Sequence, residues 1–77
     1  MIVCLDSGNS RLKWGVHDGK QWLAQGAVGH AEVEQLQQLL SDWPHPSKVM
    51  LANVAGVEAG ARIRERLGAW LPVLQEA

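Results

Sequence analysis

The 77-residue sequence has seven basic against eight acidic side chains, a net charge of −1, which offers no long-range field to nucleic acid or to anionic lipid. Its 47% apolar and 19% charged content excludes a disordered tail, although a chain this short buries only about 60% of the surface its unfolded form exposes. The single cysteine, Cys4, excludes an internal disulfide framework. No apolar run approaches the roughly 18 residues of a membrane span, and Asp6 interrupts the first one too early for a signal peptide. The expectation is a cytoplasmic setting with no nucleic-acid and no membrane partner.

Met1 to Leu5 is a short apolar run that stops at the turn formers Asp6-Ser7-Gly8-Asn9-Ser10, which predicts a strand ending in a polar loop. Within it Cys4 reads as a buried structural thiol. From Arg11 the sequence alternates, with Leu12, Trp14 and Val16 on one face and Arg11, Lys13 and His17 on the other, a half-buried strand. Asp18-Gly19 predicts a two-residue type I′ turn, and Gln21 to Val28 is the return strand of a three-stranded meander. The period then changes. Val33, Leu36, Leu39, Leu40 and Trp43 recur every three to four residues, an amphipathic helix ended by Pro44. Lys48 to Val54 reads as a strand buried on both faces. After Ala55-Gly56 a second helix carries Ile63, Leu67 and Trp70 inward and Arg62, Arg64, Glu65 and Arg66 outward. Pro72-Val73-Leu74 opens a fifth strand. Core packing is expected of the four tryptophans.

The order β-β-β-α-β-α, with a last β, predicts an α/β fold. Its mixed sheet joins an antiparallel meander to parallel strands through crossover helices, on one face at least. The pattern reads as a truncated α/β unit, one partial domain over residues 1–77.

One cluster carries chemistry, Asp6-Ser7-Gly8-Asn9-Ser10-Arg11-Leu12-Lys13. A carboxylate at the C-terminal end of a strand can hold a hydrated Mg²⁺, which keeps most of its waters and accepts one or two carboxylates. Gly8 lets the backbone turn its N–H groups toward one point, a concave row that binds phosphate oxygens. Ser10 adds a hydroxyl donor, and Lys13 returns an ammonium to the same anion. Polyphosphate uses all of these together. The bland alternative is a plain hairpin loop built from common turn residues. Elsewhere, His17, His30 and His45 lie too far apart for a metal site and read as surface or capping residues. Ser7 and Ser10 have no histidine partner for a nucleophilic role. Asn53 either faces a ligand cleft or caps a turn.

The pattern Asp6-x-Gly8-Asn9-Ser10-x-x-Lys13, directly after an apolar N-terminal strand, resembles the first phosphate loop of type III pantothenate kinases, of the actin/hexokinase/Hsp70-like ATPase superfamily. Val49 to Gly56 is similar to that family's next strand and turn. The resemblance implies a ribonuclease H-like, actin-like ATPase lobe, of which residues 1–77 are the front part, with the second lobe absent. It implies ATP-dependent phosphorylation of pantothenate, the first step of coenzyme A biosynthesis, with Mg²⁺ and a monovalent cation (K⁺ or NH₄⁺) and a homodimer in the full-length form. Carried over residue by residue, ATP is bound by Asp6, Ser7, Gly8, Asn9, Ser10, Arg11, Leu12 and Lys13, with Asp6 holding Mg²⁺ through water. The family's catalytic aspartate, its Gly-x-Asp-Arg pantothenate segment and its monovalent-cation site lie C-terminal to any matching position here, so the chain alone is expected to be inactive. A non-catalytic accessory or regulatory module of the same fold is the alternative.

Overall fold

Strict alternation gives the first strand its two faces. In the computed structural model, which describes Met1–Ala77, β1 (Ile2–Ser7) buries Val3, Leu5 and Ser7 and leaves Ile2, Cys4 and Asp6 on the other side. β2 (Arg11–His17) pairs with it antiparallel, Val3 opposite Val16 and Asp6 opposite Lys13. β3 (Trp22–Gly29) pairs antiparallel with β2, with an irregularity at Val16/His17.

The turn between β2 and β3 is longer than the predicted type I′ turn. The Asp18 N–H donates to the Gln21 carbonyl (3.1 Å), and Asp18 Oδ1 accepts from the N–H groups of Lys20 (2.7 Å) and Gln21 (2.8 Å). Only Gly19 takes a positive φ, +104°, whereas a type I′ turn needs two such residues. The aspartate side chain has built its own turn in place of the backbone one.

The predicted first helix is a 3₁₀ segment, His30–Gln35, running into α1 (Leu36–Asp42). Trp43 already has extended backbone (φ −122°, ψ 147°), because the ring of Pro44 disfavours helix in the residue before it. β4 (Lys48–Asn53) then lies parallel to β1, with Val3 beside Val49 and Leu5 beside Leu51. Gly56 (φ +104°) leads into α2 (Val57–Leu67), which ends at Gly68 (φ +53°). Trp70 rides on a following 3₁₀ segment, Gly68–Val73, outside the regular helix predicted for it. β5 (Leu74–Glu76) joins β4 in parallel. The sheet order is β3-β2-β1-β4-β5.

The core lies on one side of this sheet. Val3, Leu5, Leu12, Val16, Val49 and Leu51 meet Val33, Leu36, Leu39, Ile63, Leu67 and Trp70, each fully buried aliphatic side chain contributing about 1.5–3 kcal/mol. The opposite side has no helix over it, which corrects three expectations. β4 is buried on one face and half-buried on the other, through Lys48 and Met50. Cys4 is half-buried on the open face. Among the tryptophans, Trp70 is buried in the core and Trp14 and Trp43 pack half-buried against it, as expected, whereas Trp22, on the open face, is 50% exposed. Arg64 and Arg66 are likewise half-buried. Arg64 makes a two-pronged ion pair with Glu76, Nη2 to Oε1 at 2.5 Å and Nε to Oε2 at 3.2 Å, so α2 and β5 are tied together.

Candidate functional site

The loop between β1 and β2 stands at the C-terminal ends of β1 and β4, whose parallel pairing continues through a hydrogen bond from Val54 N–H to the Ser7 carbonyl (3.0 Å). Ligands in open α/β sheets bind at this end. Asp6, Gly8, Asn9, Ser10, Arg11 and Lys13 line a polar concavity of about 350 Å³. Asp6 and Lys13 are opposite one another across the β1–β2 ladder and are both exposed. Neither takes part in the two ion pairs of the molecule, so both charged groups are free for a ligand. Two cations, Arg11 and Lys13, stand against one carboxylate there, a local excess of positive charge that suits an anion.

Ser7 and Leu12, predicted with the other six, turn the opposite way. Both are completely buried on the core side, as their places in the alternation of β1 and β2 require. Gly8 also differs from expectation. It has no positive φ, and its N–H is spent on the Arg11 carbonyl at 3.1 Å. The amides left without a partner within the chain are those of Asn9 and Ser10, at the tip of the loop. A Cβ on Gly8 would meet only the Arg11 carbonyl oxygen at 3.6 Å, ordinary contact.

No group of three or more His, Cys, Asp or Glu is placed to hold a bare metal ion. Asp6 is the one carboxylate of the concavity, and this fits a Mg²⁺ held through water and shared with phosphate oxygens, because that ion needs few protein ligands. On the open face a second, more apolar concavity of about 430 Å³ adjoins this one, sharing Asp6 and Lys13 and including Cys4, Gly15, Trp22 and Met50.

Asn53 is a turn residue. Its Oδ1 accepts from Ala55 N–H (3.0 Å) and its Nδ2 donates to the Gly56 carbonyl (2.9 Å), closing the connection from β4 to α2. His17 accepts from Gly19 N–H through Nδ1 (3.0 Å) and meets Trp22 edge to face. His45 lies against the Pro46 and Ala69 carbonyls. His30 reaches the loop itself, its Nε2 standing 2.5 Å from the Gly8 carbonyl oxygen. Sequence reasoning missed that contact. The signal is the strand register, in which Arg11 faces Gly29 and sets the next residue beside the loop.

The sheet, with its helices and terminal loop, is of the mixed α/β class and is consistent with the front of an actin-like ATPase lobe. No protein-family model matches the chain. Curated proteins named type III pantothenate kinase do match it. The chain is 74% identical to one from Dechloromonas aromatica over 76 residues, 99% of this chain and 32% of that protein. It is 39% identical to one from Nitrosospira multiformis over 70 residues (91% and 27%). A third, from Aromatoleum aromaticum, is 43% identical over 67 residues (87% and 28%). The chain is thus similar to type III pantothenate kinases, and it spans about a third of the length of these relatives.

Proposed function

We propose that residues 1–77 form the ATP-phosphate-binding part of a kinase that phosphorylates pantothenate, the first step of coenzyme A biosynthesis. The observation that carries this reading is the polar concavity lined by Asp6, Arg11 and Lys13 together with Asn9 and Ser10, whose amides have no partner within the chain. In the overall reaction the bond between the γ-phosphorus of ATP and its bridging oxygen breaks, and a bond forms to the primary hydroxyl of pantothenate, whose proton is released. Such transfer is mostly positioning and charge neutralisation. Lys13 and Arg11 balance phosphate charge already present in bound ATP, the Asn9 and Ser10 amides and the Ser10 hydroxyl fix phosphate oxygens, and Asp6 orients water around Mg²⁺. When bound, Mg²⁺ supplies neutralisation of the charge that develops on the transferred group. The second substrate, the K⁺ or NH₄⁺ site and a homodimeric, cytoplasmic assembly belong in this reading to the part of the relatives outside the match.

ATP titrations of the chain test the reading. Lys13→Ala should weaken ATP binding roughly tenfold or more, the worth of a charged hydrogen bond. Asp6→Asn keeps the shape and removes the charge, so its effect should be confined to titrations containing Mg²⁺. In a longer kinase carrying this sequence, the same change should lower turnover roughly 10²-fold. A well-folded Asp6→Asn protein with unaltered Mg²⁺-ATP affinity and turnover would contradict the reading.

A further inference from the structure

We infer that His30 is a positioning residue for the loop, acting from behind it to set the direction of the Asn9 amide; the inference rests on the phosphate-binding reading of that loop. His30 opens the 3₁₀ segment after β3, is half-buried and does not line the concavity. It is the one side chain outside the loop that hydrogen-bonds to the loop backbone, through Nε2 to the Gly8 carbonyl oxygen at 2.5 Å. A carbonyl only accepts, so Nε2 carries the hydrogen. The Gly8 carbonyl and the Asn9 N–H belong to one planar trans peptide unit and point in opposite directions. Holding the oxygen toward His30 therefore directs the Asn9 N–H away from it. Gly8 is tethered a second time, through its own N–H to the Arg11 carbonyl.

Without the imidazole, the Gly8–Asn9 peptide is free to rotate about its flanking bonds. Glycine opposes that rotation less than any other residue. The flipped peptide would present a carbonyl oxygen where an anion expects a donor. His30 thus prevents a repulsive arrangement as well as favouring an attractive one.

The experiment compares the chain with His30→Ala and His30→Gln, since the glutamine amide can donate from nearly the place of Nε2. The readouts are ATP affinity, the chemical shift and hydrogen exchange of the Asn9 amide, and the melting temperature. His30→Ala should weaken ATP roughly five- to tenfold, one hydrogen bond's worth, and shift and deprotect the Asn9 amide without nucleotide present. His30→Gln should restore most of both. A lowered melting temperature with Asn9 and ATP affinity unchanged would assign His30 to packing alone and overturn the inference. If His30→Ala does not fold, ring ¹⁵N shifts of the unaltered chain decide: Nε2 protonated supports the contact, Nε2 bare overturns it. Failure of the unaltered chain to bind ATP would count against the phosphate reading, and the Asn9 measurements would still judge the His30 contact.

Discussion

Ser7 brings a hydroxyl into a place built for methyl groups. It is fully buried on the core side of β1, and its Oγ has no hydrogen-bond partner, a state that carries a desolvation penalty. Ser7→Ala should therefore raise stability by about 1 kcal/mol, a melting-temperature gain of roughly 4–8 °C for a domain of this size. ATP affinity should stay unchanged, because the side chain faces away from the concavity; a lower melting temperature would mean the hydroxyl has a partner after all. At this scale the chemistry of the loop was legible as residue types, since an acid, a lysine and turn formers stood together. The direction of each side chain needed the parity of the strand, which sends Ser7 with Val3 and Leu5, and Leu12 with Val16, into the core. His30 was beyond reach, because its link to Gly8 spans the β2–β3 register rather than any local spacing.

The turn of the β2–β3 hairpin is held by a single charge. Its exposed Asp18 carboxylate accepts two backbone N–H groups, from Gln21 and Lys20, and these hold its pKa below the ordinary 3.8. Because the folded-state value is the lower one, the support to the turn is complete above the unfolded value and fades as pH falls through the folded value. Amide exchange at Lys20 and Gln21 should accelerate relative to the rest of the sheet as pH drops from 5 to about 2. Asp18→Asn keeps an accepting oxygen and should remove this pH dependence; an unchanged dependence would place its origin elsewhere. The same hairpin shows why some elements were misjudged. Asp-Gly signals a tight turn, but the preference of the carboxylate for nearby N–H groups lengthened it. In the sheet beyond, Trp14 lies over Gly26 and Trp22 over Gly15 so closely that a Cβ at either glycine would stand 2.6 Å from an indole carbon. Those glycines read as weak strand residues in isolation, and only the pairing reveals them as seats for indole rings.

Over the whole molecule, the two-sided character of the sheet dominates. Helical segments cover one side, whereas parallel strands are ordinarily covered on both. On the open side Cys4, Gly15, Met50 and Trp22 surround a concavity of about 430 Å³. Exposed apolar surface of this kind drives association. The 77-residue chain by itself should therefore self-associate as concentration rises, measured by sedimentation velocity from about 5 to 200 µM, and Trp22→Lys should reduce it. A single monomeric boundary throughout the range would show that the open face is tolerated in water. Element types were legible here from the periodicities of two and 3.6. Which side of the sheet the helices would take was not, because an apolar run such as Lys48 to Val54 looks the same whether one face or both are covered.

The N-terminal strand lies in the middle of the sheet, and this sets the order in which the fold can be completed. β1 has a nearby partner in β2 and a remote one in β4, so Ile2 meets both His17 and Lys48. The meander can assemble from local contacts. Docking β4 must first close the long intervening segment, and its entropy is spent before the contacts return anything. Refolding should accordingly be limited by the arrival of β4, after which β5 joins through Val49 and Leu74. In pulse-labelled hydrogen exchange, amides shared by β2 and β3 should gain protection first, and those between β1 and β4 only later; simultaneous protection would indicate a nucleus that already contains the parallel pair. The loop at the end of β1 would then be half-anchored through most of folding, its final place waiting on the hydrogen bond between Val54 and Ser7.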